Sequence, residues 1–182
     1  MRGLYGLTLA AVLLVAAASG LMAAPDQAIA PFIGEYVGRT IQAPNEPLSP
    51  RDLSIKIEAK GDDGFTLEWT TVIHDANGAR RQAYSIEFSP SSRKGTFSSA
   101  MRRDMFGHSE PLDPLKGDPY VWAHIAGPVL TVRALLINDD GGYEIQVYRR
   151  TLTASGLSLA FTRNRDGTPL KTIYGALDRI AR

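Results

Sequence analysis

Between Val129 and Ile180 the chain is divided by three short breaks, Asn138-Asp139-Asp140-Gly141-Gly142, Ala154-Ser155-Gly156 and Asn164-Arg165-Asp166-Gly167. Each combines Gly with Asn, Asp or Ser, residues that reach positive φ at little cost or hydrogen-bond their own backbone, so each reads as a tight reversal. The apolar segments between them are about six to ten residues long, the length of a strand. Reversals this short join antiparallel neighbours, because a parallel crossover needs about a dozen residues or more. The stretch is therefore an antiparallel meander, and few folds accept one of this length.

The same rhythm runs upstream. Phe32, Gly34, Tyr36 and Gly38 alternate with Ile33, Glu35, Val37 and Arg39; two glycines on one face predict a bend or a close backbone approach. Pro44, Pro47 and Pro50 make the next segment a loop. Leu53, Ile55 and Ile57 alternate with Ser54, Lys56 and Glu58, the pattern of a half-solvated strand. Gly61-Asp62-Asp63-Gly64 turns the chain into Phe65, Leu67, Trp69, Thr71 and Ile73, and Asp75-Ala76-Asn77-Gly78 turns it again into Tyr84, Ile86 and Phe88. A weaker strand is expected around Thr96 to Met101. From Arg102 to Pro119 the prolines at 111, 114 and 119 predict a long loop without regular structure, a feature that often carries function. Tyr120 to Ile125 and Val129 to Ile137 then flank Gly127-Pro128 as two strands meeting at a corner.

About ten short strands in unbroken hairpin order predict one all-β domain over residues 32–182. Closing such a meander on itself removes its open edges, so an antiparallel up-and-down β-barrel of about 8–10 strands is expected. A Greek-key sandwich needs longer returns, and only the segments at 43–50 and 102–119 supply them.

Residues 1–24 are a different kind of sequence: Arg2, an apolar run from Leu7 to Ala18, then Ser19, Gly20, Ala23 and Ala24. This is the layout of a secretory signal peptide cleaved after Ala23 or Ala24, with 25–31 as a flexible leader. The competing reading is an uncleaved anchor, because Leu4 to Ala24 nearly spans a bilayer. A periplasmic or secreted protein is expected, without a stable membrane span once the signal is removed. Losing Arg2 takes Lys+Arg from 20 to 19 against 19 acidic residues, so no basic field for nucleic acid remains. The chain has no cysteine, which excludes disulfides, thiolate metal sites and a lipid-modified cysteine.

The opening Phe32-Ile33-Gly34-Glu35-Tyr36 and the meandering hairpins over most of residues 32–180 resemble the calycin group, the lipocalins and fatty-acid-binding proteins. Tyr36 stands where a lipocalin first-strand Gly-x-Trp has its tryptophan. The resemblance implies a barrel enclosing an apolar ligand, with an arginine from the far end packed over that aromatic; Arg179 is the nearest candidate and Arg163 the other. The chain departs from lipocalins in carrying Tyr for Trp, no disulfide and no central lipocalin motif.

Candidate ligand-binding residues on the expected inner faces are Tyr36, Trp69, Tyr84, Phe88 and Phe161, with Ile86 and Val147 beside them. Trp122 is a further candidate, but it shares a face with His124 opposite Val121, Ala123 and Ile125, and either face fits the interior. Adjacent strand residues face opposite sides, so one of Arg149 and Arg150 must point into the barrel or its rim, where it needs a carboxylate or an anionic head group; Arg149 is the candidate. Met105, Phe106 and His108 mark 102–119 as a lid or interaction loop. His74, His108 and His124 form no metal-ligand pattern, and the Asp-Gly groups lack calcium-loop spacing, so neither metal nor cofactor is expected. Asp104, His108, Glu110 and Asp113 permit general-base chemistry, yet no nucleophile motif accompanies them. The expectation is a binding barrel for a small apolar or amphipathic molecule; the alternative is a packed scaffold whose loop contacts an envelope protein, and an enzyme is the least favoured reading.

Overall fold

The computed structural model describes residues 28–41, 49–61, 63–99, 102–103, 109–110 and 112–182. The expected signal segment at 1–24, most of the proline loop at 43–50, and Met105, Phe106 and His108 lie outside the described residues. Twelve strands follow in order among them: β1 Gly34–Ile41, β2 Arg51–Lys60, β3 Gly64–Asp75, β4 Gly78–Pro90, β5 Thr96–Ser99, β6 Arg102–Arg103, β7 Ser109–Glu110, β8 Tyr120–Ala126, β9 Val129–Ile137, β10 Tyr143–Leu152, β11 Gly156–Arg165 and β12 Thr168–Ala181. Ten of them close into an antiparallel barrel in which consecutive strands pair, β5 pairs with β8 past the excursion that holds β6 and β7, and β1 pairs with β12. The small β6–β7 pair stands apart inside the long loop, which also holds a 3-10 turn at Pro114–Lys116. That loop was expected to lack regular structure; the short pairing fits ahead of Pro111, where no proline ring interrupts it.

Closure depends on Gly38. A Cβ there would lie 1.9 Å from the Ala176 carbonyl oxygen and 2.6 Å from the Leu177 Cα, so only glycine lets β12 approach β1 this closely.

One half of the barrel is a dry core. Ile57, Phe65, Leu67, Phe88, Phe97, Leu130, Val132, Leu157 and Leu177 are all buried, with Phe65 stacked on Phe88 at 4.8 Å and edge-on to Phe97 at 5.2 Å. Ala30–Phe32 forms a 3-10 turn that caps this half, and Ile29 and Phe32 join the core at 2% and 0% exposure. Residues 28–31 therefore belong to the packed domain and not to a flexible leader, because Ile29 and Phe32 bury their side chains there.

The other half differs. Among the described residues β4 pairs with β5 only over Phe88–Pro90, while it pairs with β3 from Gly78 onward, and its first residues are exposed. The barrel is closed and filled at one end and open at the other.

Candidate functional site

The inner face of the open half is set by register. Glu144, Gln146, Tyr148 and Arg150 of β10 lie opposite Leu136, Ala134, Val132 and Leu130 of β9, and the last two of these are buried in the barrel. Across the other ladder the same four residues face Arg165, Arg163, Phe161 and Leu159 of β11. Tyr148 and Arg150 thus point inward, and Val147 and Arg149 point outward. This corrects two expectations. Arg149 is exposed on the outer wall and the inward arginine is Arg150, at 1% exposure; Val147 is not an inner residue. The apolar run Tyr143, Ile145, Val147 suggested the opposite parity, which the pairing with β9 overrides.

A cavity of about 330 Å³ opens here, lined by Trp69, Tyr84, Tyr148 and Phe161 among aromatics and by Arg51, Arg80, Arg150, Arg163 and Lys171 among cations. Five of the chain's 20 lysines and arginines face this one space. Among the described residues no aspartate or glutamate lines it.

The aromatics form a belt across the barrel. Trp69 stacks on its neighbour Tyr84 at 5.0 Å, reaches Tyr148 on the opposite wall at 5.6 Å, and Tyr148 packs on Phe161 at 4.6 Å. Arg150 lies under this belt, its guanidinium carbon 5.6 Å from the Trp69 ring centre and 5.7 Å from that of Tyr148. Ring faces attract a cation, but they do not replace hydrogen bonds: Nε and Nη1 of Arg150 are buried without a partner among the described residues. Burial pulls the guanidinium pKa down to about 10, so it remains charged at neutral pH. The same burial pushes the Tyr148 hydroxyl up to about 12.

The acid closest along β10 does not serve Arg150. The Tyr148 hydroxyl donates to Gln146 Oε1 at 2.9 Å, Gln146 Nε2 donates to Glu144 Oε1 at 2.7 Å, and Arg163 Nη2 meets Glu144 Oε2 at 2.6 Å. The Arg163 hydrogen bond holds the Glu144 carboxyl below its ordinary range. This relay along alternate residues of one strand satisfies Glu144, Gln146 and Tyr148 and leaves the charge below them unmatched among the described residues.

Trp69, Tyr84 and Phe161 therefore line the cavity together, as three of the expected ligand-binding residues. The remaining candidates lie elsewhere. Tyr36 is fully buried beside the cap, its hydroxyl donating to the Phe32 carbonyl at 2.7 Å. Phe88 sits in the dry core against Phe65. Trp122 is on the outer wall beside Tyr120, because Val121, Ala123 and Ile125 are the buried face of β8. His124 bonds Thr96 and His74 bonds Asp52, both on the outside. Sequence reasoning missed Arg51, Arg80, Tyr148, Arg163 and Lys171 as cavity residues, and of the pair Arg149 and Arg150, one of which had to point inward, it named the outer one; the signal for Arg51, Arg80 and Lys171 was even spacing from Ile73 or Ile173 along their own or the paired strand.

No family model matches this chain, and the search of curated proteins found no match.

Proposed function

We propose that this chain is an exported, lipocalin-like carrier that holds one small amphipathic molecule in the open half of its barrel. The acidic head sits inward on Arg150 and the body lies against Trp69, Tyr84, Tyr148 and Phe161. The observation that carries the reading is Arg150, whose buried Nε and Nη1 have no hydrogen-bond partner among the described residues, beneath an aromatic belt and facing an open cavity. A buried guanidinium without an acceptor costs several kcal/mol, and an anionic group bound from the cavity removes that cost. The volume falls within the range of small-ligand sites.

The lipocalin comparison draws support from Arg179, whose guanidinium packs over the first-strand Tyr36 ring at 5.0 Å. Export draws its support from the short apolar run at the N-terminus, which has the composition of a signal peptide.

The test is a fluorescence titration with decanoate, using the Trp122→Phe protein so that Trp69 is the remaining indole. Saturable quenching that disappears in Arg150→Met supports the carrier reading. No saturable change up to about 1 mM, the limit of weak specific binding, overturns it.

A further inference from the structure

The mouth of the cavity carries a second set of cations that the head-group contact at Arg150 does not use. Arg51 lies opposite Ile73, and Ile73 lies opposite Arg80. The three side chains stand in one row on the inner face, two guanidiniums flanking a buried isoleucine. The strands bearing Arg51 and Arg80 are two spacings apart, about 10 Å, a gap that two extended arginine side chains can close on one oxyanion. Arg51 Nε is buried with no hydrogen-bond partner among the described residues. Burial and the charge of Arg80 hold the Arg51 pKa below its ordinary value.

Among the described residues, the nearby carboxylates are engaged elsewhere. Asp52 faces the outer wall and binds Arg39 and His74. Asp75, further out on β3, accepts from the Asn77 amide of its own turn. Glu144 is held by Arg163 across the cavity. The two guanidiniums therefore share the rim, Arg51 half-buried and Arg80 exposed, and repel each other.

We infer that the ligand carries two acidic groups, one at each end of an apolar body: the inner one on Arg150, the outer one between Arg51 and Arg80. This rests on the carrier reading above. The spacing follows from β3, where Trp69, over Arg150, and Ile73, between Arg51 and Arg80, are four residues apart, or about 13 Å along a strand. The aromatic belt and Leu53, Ile55, Leu159 and Ile173 line the wall between the two charged levels. A single-headed amphipath would leave its apolar terminus against Arg51 and Arg80, covering them without an acceptor, an arrangement that disfavours binding.

Three ten-carbon probes separate the alternatives on the Trp122→Phe protein: decanoate, with one charge; decyl phosphate, with its charge at one end; and decanedioate, with a carboxylate at each end. Decanedioate is expected to bind at least about tenfold more tightly than decanoate, the gain of one charge-assisted contact, and more tightly than decyl phosphate. In Arg51→Gln/Arg80→Gln the ratio of decanedioate to decanoate affinity falls below about threefold, while the ratio of decyl phosphate to decanoate does not move. Equal binding of decanedioate and decanoate, a preference for decyl phosphate, or a decanedioate preference that survives the double substitution overturns the two-acid inference alone. Absence of saturable binding by all three probes overturns the carrier reading and this inference with it.

Discussion

The guanidinium of Arg179 lies 5.0 Å over the ring of Tyr36 and donates to its hydroxyl at 2.5 Å. The two residues are paired across the β1–β12 seam. The same guanidinium donates to the Pro31 carbonyl at 2.6 Å, and the Tyr36 hydroxyl donates to the Phe32 carbonyl. One arginine and one tyrosine therefore join the last strand, the first strand and the cap over the dry core. Tyr36→Phe keeps the ring and removes the hydroxyl shared by these bonds. It is expected to lower stability by about 1–3 kcal/mol, the range for losing buried bonds to a charged group, and to raise protease sensitivity around residues 28–33. Denaturant titration and limited proteolysis read both effects; an unchanged midpoint would remove the structural role given to this pair.

Arg150→Met separates stability from binding. Replacing an unpaired buried charge by an apolar side chain of similar length is expected to stabilise the apo protein by about 1–4 kcal/mol, while probe binding is lost. A thermal midpoint that rises together with a lost decanoate response fits a residue kept for its ligand. A midpoint that falls by several degrees would instead make Arg150 part of the architecture.

Glu144 gives a pH dependence of known sign. Its folded pKa is depressed, chiefly by the Arg163 hydrogen bond, so its contribution is complete above the ordinary carboxyl value of 4.5 and is lost as pH falls from there through the lower folded value. Glu144→Gln should therefore be less stable than the parent by about 2 kcal/mol at pH 7, with the gap closing toward pH 3. Urea titrations of both proteins across that interval measure it. A gap that is constant with pH would show that the carboxylate charge is not what stabilises the contact.

Gly38→Ala tests barrel closure. The added methyl meets the Ala176 backbone, which cannot move aside as a flexible side chain would, so a loss of about 3 kcal/mol or more is expected. Hydrogen exchange should locate the loss in β1 and β12, whose amides pair across that seam. Protection in both strands equal to the parent's would contradict the tight approach.

The order of strands was legible because each reversal carries its own chemistry. Asn77-Gly78, the Asn138–Gly142 turn and Asp166-Gly167 mark hairpins wherever they occur, and hairpins in series leave β1 and β12 as the free edges to be joined. The boundaries at Val129 and Ile137 agree with the sequence reading for that reason. The closed half was legible too, since Ile57, Phe65 and Leu67 obey the alternation of a buried face.

The open half broke that rule. On β10 the apolar residues Ile145 and Val147 face outward and Glu144, Gln146, Tyr148 and Arg150 face inward, so polarity alone assigned Val147 to the interior and chose Arg149 over Arg150. Trp122 was ambiguous for the same reason, with a large aromatic on the outer face of β8.

What the residues determined by themselves is the meander, its turns and its all-β closure, because turn chemistry and strand periodicity are local. Which arginine enters the barrel, and that Arg51, Arg80, Arg150, Arg163 and Lys171 meet around one cavity, only the tertiary structure decided. The parity of each strand is set by pairing with its neighbours, and a one-residue change of register exchanges the two faces.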